Sequence, residues 1–204
     1  MNILFVCTGN TCRSPMAEAL LKDKMPQLEV QSAGIFAGEN EPAHQYTIEV
    51  LKRRGITLNH RSQSVDPAIL NEADLVLTMT TRHKQSLIVH YPDFQDKFFT
   101  LKEYVSEADK EVWKELKQLY ASYEEKRSIY MQKNQHKMDN VLLDQKLADH
   151  LQPEMKRISQ LERDLINYDI SDPFGGNVKV YEETLEEIDE SIKLLVQKLQ
   201  NNTS

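Results

Sequence analysis

The chain has 204 residues, 40% of them hydrophobic, and a formal net charge of −7, which suits one large domain, or one domain with an insertion, around a packed core. An acidic chain is a poor general nucleic-acid binder, and its apolar runs are too short to span a bilayer, so neither nucleic acid nor membrane is an expected partner. The two cysteines, Cys7 and Cys12, both fall in the first dozen residues and cannot form a disulfide framework, and Met1–Val6 carries no charged leader. A cytoplasmic location is expected.

Asn2–Val6 (NILFV) is a short apolar run that reads as a buried strand, and Pro15–Met25 reads as a helix. Ser14 is placed to cap that helix, Pro15 to start it and Glu18 to complete a capping box. Glu29–Ala33 reads as a strand ending at Gly34, and Pro42–Arg54 as a helix closed by Gly55. Ala73–Met79 is a further buried strand, Thr80–His90 a helix and Lys97–Thr100 a short fourth strand. Strands alternating with helices predict a parallel sheet covered on both faces, with ligands at the carboxyl ends of its strands.

The character changes after Tyr104. From Glu107 to Asn167 the chain is charged and helical, with Trp113, Leu116, Tyr120 and Tyr123 on one stripe and Leu151, Met155, Ile158 and Leu165 on another. A turn near Asn134 or Asp139–Asn140 predicts a helical hairpin, of three segments if Pro153 breaks the second half. A solvated insertion is the plainest reading; self-association or substrate docking are the alternatives. Asp169–Gly176 (DISDPFGG) reads as a loop, Val178–Leu199 as a long amphipathic helix and Gln200–Ser204 as a polar tail.

The stretch Cys7-Thr8-Gly9-Asn10-Thr11-Cys12-Arg13-Ser14 carries the chemistry. A strand end feeding a tight loop and then a helix start aims successive backbone N–H groups at one point, where the helix dipole adds positive character. Gly9 is expected to ease the turn. An oxyanion is the natural guest of Thr8–Ser14, and Arg13 can add a planar pair of donors. Cys7 at the mouth of this field is a candidate nucleophile, and Ser14 can donate to its sulfur. The plainer alternative is a small buried residue at a strand end. No Gly-Lys-Ser/Thr appears, so a nucleotide-binding loop of that type is a poor reading.

Cleaving a phosphate ester or amide also needs a proton for the leaving group. Asp172 is the best candidate because Pro173 stiffens its loop and Gly175–Gly176 permit an unusual backbone path. Asp169 is its rival and Asp66 a weaker one, since Pro67 reads as a helix start. A turn or cap aspartate is the simple alternative for Asp172. His44, His83, His90, His136 and His150 lack ligand spacing, so no metal and no cofactor are expected.

CTGNTCRS, the SAG at Ser32–Gly34, the NHRS around His60, ADLVLTM and the late DPFGG together resemble the low-molecular-weight protein tyrosine phosphatase family. The resemblance covers Met1–Tyr104 and Ile170–Leu199. It implies a three-layer α/β fold with a four-stranded parallel sheet flanked by helices, a single domain over 1–204 with a helical insertion at 105–169. It also implies two-step hydrolysis of phosphorylated proteins through a phosphocysteine. Carried onto this chain, Cys7 is nucleophile, Arg13 binds phosphate, Asp172 is general acid and then base, and Asn10, Ser14, Ser32 and His60 hold the loop in shape. Thr11 inside the loop, Phe174 in DPFGG, and Lys102–Tyr104 (KEY) are similar to the bacterial protein arginine phosphatases, which implies phosphoarginine over phosphotyrosine as substrate. The resemblance also implies a redox pairing of Cys7 with Cys12; a packed small residue is the alternative for Cys12. An arsenate reductase with an intramolecular cysteine relay is excluded, because no cysteine follows Cys12, and the intact Cys7, Arg13 and Asp172 disfavour a silent phospho-residue binding module.

Overall fold

The computed structural model describes residues 1–106, 110–135, 137, 140–164 and 167–201. Glu107, His136, Asp139, Leu165 and the last three residues of the tail lie outside them, as does the side chain of Trp113. In chain order the elements are β1 (Asn2–Cys7), α1 (Arg13–Lys24), β2 (Glu29–Gly34), α2 (Gln45–Arg53), α3 (Pro67–Glu72), β3 (Leu75–Thr78), α4 (Thr81–His90), β4 (Phe98–Thr100), α5 (Leu101–Val105), α6 (Lys110–Asn134), α7 (Asn140–Asp164) and α8 (Val178–Asn201). The chain divides into two compact units, Met1–Val105 with Tyr168–Ser204, and Ser106–Asn167.

The first unit is built on a four-stranded sheet of order β2-β1-β3-β4, every pairing parallel. Successive side chains on a strand point to opposite faces. Ile3, Phe5, Leu75 and Leu77 therefore pack with α1, α2, α5 and α8, while Leu4, Val6 and Val76 pack with Leu70 of α3 and Leu87 of α4. Burial on both faces is why the strands read as unbroken apolar runs. The chain leaves β1 for β2 on one side and later occupies β3 on the other, so the crevice for a ligand opens beyond the carboxyl end of β1, at Cys7. α8 closes the unit as its period predicts, with Tyr181, Leu185, Ile188, Ile192 and Leu195 buried.

Several boundaries differ from expectation for local reasons. α1 begins at Arg13 and no side chain caps it; Ser14 is turned inward to Cys7, and Glu18 reaches Ser32 and Lys22. The helix start is thereby left for an anion. α2 begins after His44, whose Nδ1 accepts from Tyr46 N, because Pro42 is held in a bridge with Arg61. The α5 helix and a 3-10 turn over Pro92–Lys97 are too short to register as periodicity.

The second unit is an α6–α7 pair whose buried face includes Leu116, Ile158 and Leu161, backed by Val112, Leu119 and Tyr123. Met155 and Tyr120 lie outside the buried stripe and are exposed. Pro153 sits inside a continuous α7, not at a break. An interior proline costs roughly 3 kcal/mol, and the buried Leu151, Ile158 and Leu161 on either side carry the helix across it. Arg157 pairs with Glu115, and Lys126 with Glu154, across the two helices.

Candidate active site

The loop between β1 and α1 is organised by Asn10. It is fully buried and adopts φ 53, the left-handed region. Asn tolerates that region better than most residues, and the turn expected of Gly9 is made here instead: a Cβ on Gly9 would meet only Thr11 Oγ1, at 3.8 Å. Every polar group of Asn10 is engaged. Its Nδ2 donates to Ser14 Oγ (3.0 Å) and Ser32 Oγ (2.8 Å), its Oδ1 accepts from Gln63 N (3.0 Å), its O accepts from His60 Nε2 (2.7 Å), and its N donates to Cys7 Sγ (3.3 Å). Ser32 Oγ in turn donates to Glu18 Oε2 at 2.6 Å. A carbonyl can only accept, so His60 Nε2 carries a proton and the ring is a strut.

Cys7 is buried at the end of β1, with Ser14 Oγ 3.0 Å from its sulfur. Ser14 already accepts from Asn10 Nδ2, so its single proton is free to turn to Cys7 or to Ala33 O at 3.4 Å. The sulfur thus faces two donors, the Asn10 amide and the Ser14 hydroxyl. Gly34 allows this closeness: a Cβ there would lie 2.6 Å from Thr8 O and 2.9 Å from Asn10 N. Gly34 and Gln63 are supports that sequence reasoning missed as such, although Gly34 closes the SAG motif.

Arg13 is buried and points across to a second loop. Its Nη2 donates to Asp172 Oδ2 at 2.7 Å and its Nη1 to Ile170 O at 3.3 Å. Asp172 remains 51% exposed, open to a guest above the first loop, and its Oδ1 accepts from Phe174 N. The expected backbone freedom appears at Gly175, with φ 82. The rival acids have other work: Asp169 Oδ1 accepts from Thr81 N at 2.7 Å, and Asp66 caps α3 through Ile69 N.

Thr8 Oγ1 lies 2.9 Å from Nε2 of His83 on α4. Burial, then the nearby Arg13, lowers the His83 pKa to about 4, so the imidazole is neutral near pH 7. Nothing in the sequence marks His83 apart from the other isolated histidines. Thr11 binds His44 N and Thr47 Oγ1 through its carbonyl. Cys12 is a free thiol, like Cys7, and its sulfur lies 3.4 Å from the buried Tyr181 hydroxyl. That phenol is raised above its usual range by burial and by Cys12. Among the described residues no cluster of three or more His, Cys, Asp or Glu could hold a metal, and no helix is long and apolar enough to cross a membrane.

The family model for low molecular weight phosphotyrosine protein phosphatase matches residues 2–136, more than half of the chain. This protein belongs to that family. It is therefore a cysteine-dependent phosphatase. The phosphatase is 32% identical over 206 aligned positions to a protein-arginine-phosphatase of Bacillus subtilis (strain 168), covering 99% of each chain. It is 49% identical over 111 residues to a protein-arginine-phosphatase of Geobacillus stearothermophilus, covering 54% of this chain and 75% of the relative. Among solved structures, a cysteine-to-serine variant of the arginine phosphatase YwlE with a phosphorylated active-site serine superposes with a TM-score of 0.68 at 31% identity, covering 98% of this phosphatase and 96% of that chain. The family match ends before Asp172, whereas the Bacillus subtilis relative spans it.

Proposed function

We propose that this phosphatase hydrolyses phosphoarginine in proteins, with Cys7 as nucleophile, Arg13 as phosphate clamp and Asp172 as general acid and then base. The Arg13–Asp172 contact at 2.7 Å carries the reading, because it brings a proton donor from 159 residues away to the Cys7 loop. Backbone N–H groups of Thr8–Ser14 and the Arg13 guanidinium hold the phosphoryl oxygens. The Cys7 thiolate attacks phosphorus in line. The P–N bond breaks, its electron pair stays on the guanidine nitrogen, and Asp172 protonates that nitrogen. Asp172, now a carboxylate, takes a proton from water, which attacks the phosphocysteine; the P–S bond breaks and inorganic phosphate leaves. Ser14 Oγ, 3.0 Å away, stabilises the departing thiolate.

The preference for phosphoarginine is supported by the arginine-phosphatase relatives. It is also supported by Thr11, a small hydroxyl residue in the loop, by the Asp172 carboxyl group, which can hydrogen-bond the leaving guanidine nitrogen, and by a neutral His83 that adds no opposing charge. Phosphotyrosine is the competing reading, favoured by the match to the phosphotyrosine protein phosphatase family model. Turnover of phosphoarginine and phosphotyrosine peptides by wild type and Thr11→Ile decides between them. Wild type should prefer phosphoarginine and Thr11→Ile should lose at least about tenfold of that preference; a wild-type preference for phosphotyrosine overturns the assignment.

The remaining assignments belong to the same proposal. Residues 1–204 act as one phosphatase domain with residues 105–169 inserted, in the cytoplasm, where two free thiols are stable. Peroxide oxidation joins Cys7 to Cys12 reversibly, with release of water. The exposed Val141, Leu142 and Met155 suit the inserted helices to self-association, which sedimentation over a range of concentrations tests.

A further inference from the structure

When a phosphoryl group engages Arg13, it competes for the guanidinium that holds Asp172. The acid loop therefore needs an anchorage that does not pass through Arg13. Backbone contacts supply part of it: Ile170 N donates to Met79 O at 2.8 Å, extending the end of β3, and Thr81 N holds Asp169 Oδ1. An ion pair adds to them. Lys102 Nζ donates to Asp169 O at 3.0 Å and to Glu187 Oε1 at 2.6 Å, and Glu187 Oε2 accepts from Ser171 N at 3.1 Å. The pair thus grips the residues at 169 and 171, directly before Asp172.

Its position along the chain matters as much as its contacts. Lys102 sits on α5 just before the chain enters the inserted unit after Val105, and Asp169 follows its return at Tyr168. Lys102 belongs to the KEY stretch, and the other two residues of that stretch fix α5 in place. Glu103 and Thr100 exchange bonds in a capping box while Glu103 pairs with Lys84. Tyr104 packs edge-on against Phe99 and beneath Lys198. Glu187 comes from the middle of α8, whose opposite side is buried in the core. Burial opposes its charge, but the Lys102 and Ser171 bonds outweigh burial and hold its pKa below the usual value.

We propose that Lys102 and Glu187 are positioning residues that fasten the Asp172 loop to the phosphatase body across the base of the insertion, so that Asp172 keeps its place while Arg13 is occupied by substrate. This rests on Asp172 as general acid. The first step, read by kcat/KM, depends on that acid when the leaving group is poor and hardly at all when it is good. Lys102→Met should lower kcat/KM about tenfold for phenyl phosphate and less than about twofold for 2,4-dinitrophenyl phosphate, with inhibition by orthovanadate unchanged. Lys102→Arg should recover most of the loss. Glu187→Leu should match Lys102→Met, and the double variant should be no worse than either.

Equal losses on both esters, no loss on either, or additive losses in the double variant overturn the proposal. If Lys102→Met fails to fold, Glu187→Leu carries the same comparison. Asp172→Asn separates the two ideas. If it shows no leaving-group-dependent loss, the acid assignment fails; if it does and the Lys102 and Glu187 variants do not, only the positioning role fails.

Discussion

The two loops of the site are held in opposite ways. The Cys7–Ser14 loop is continuous in sequence, largely buried, and fixed by short polar contacts that converge on Asn10. The Asp169–Gly176 loop follows a 62-residue unit, leaves Asp172 half exposed, and is fixed by contacts to Met79 just after β3 and to α4, α5 and α8. The first must form a cradle that does not yield, because converging N–H groups stabilise an anion only if they are already aimed. The second carries the acid that we propose exchanges protons with substrate and water, and exposure permits that. Rigidity and access are divided between them.

The sharpest test of the first loop is its nucleophile. Cys7→Ser should lower turnover on the order of 10⁴-fold or more while leaving orthovanadate or phosphate binding in place; surviving turnover would mean that another group attacks. The second loop should yield less. Asp172→Asn should cost roughly 10²–10⁴-fold on phosphoarginine, with a flattened pH–rate profile. A loss as large as that of Cys7→Ser would mean that the contact with Arg13, not proton transfer, is what matters.

Asn10→Ala probes rigidity itself. It removes three side-chain bonds, leaves buried partners unsatisfied and places alanine in a left-handed conformation, so unfolding free energy should fall by about 3 kcal/mol. Denaturant melts check this, and a loss below about 1 kcal/mol would show the cradle to be softer than its contacts imply.

The smallest effect concerns His83, at the edge of the first loop. Its folded pKa of about 4 lies below the ordinary 6.5. Between those values the unfolded chain binds more protons. The contribution of His83 is therefore full above about pH 6.5 and is lost as pH falls towards about 4. Unfolding free energy followed from pH 7.5 to 4.5 should decline less steeply in His83→Asn than in wild type. Parallel curves would show that His83 is not held neutral by its surroundings.

The asymmetry between the loops also explains what could be read in advance. The Cys7–Ser14 cradle was legible because its chemistry is local: strand, loop and helix start are contiguous, and Cys7, Arg13 and Ser14 keep a fixed spacing. The sheet was legible because burial on both faces writes short, unbroken apolar runs into β1 and β3. The capping role expected of Ser14 and Glu18 was misread, since local spacing cannot tell that Ser14 is drawn inward by Cys7 and Asn10, or that Glu18 is drawn to Ser32.

Composition, order and spacing by themselves determined an alternating α/β chain with an anion-binding loop at Cys7–Ser14, a helical insertion, and a short set of acids that could serve it. Where each of those acids sits was a tertiary decision. Asp66 and Asp169 carry the same carboxyl as Asp172, which Pro173 and Gly175–Gly176 favour without fixing where any of the three lies. Only the folded chain spends Asp66 on the start of α3 and Asp169 on Thr81, and brings Asp172 to Arg13 at 2.7 Å. The same holds for His83, Gly34, Lys102 and Glu187, whose roles arise from partners far away in sequence. Short-range spacing encodes a cradle made by consecutive residues; a contact that closes over 60 to 160 residues depends on packing throughout the chain between.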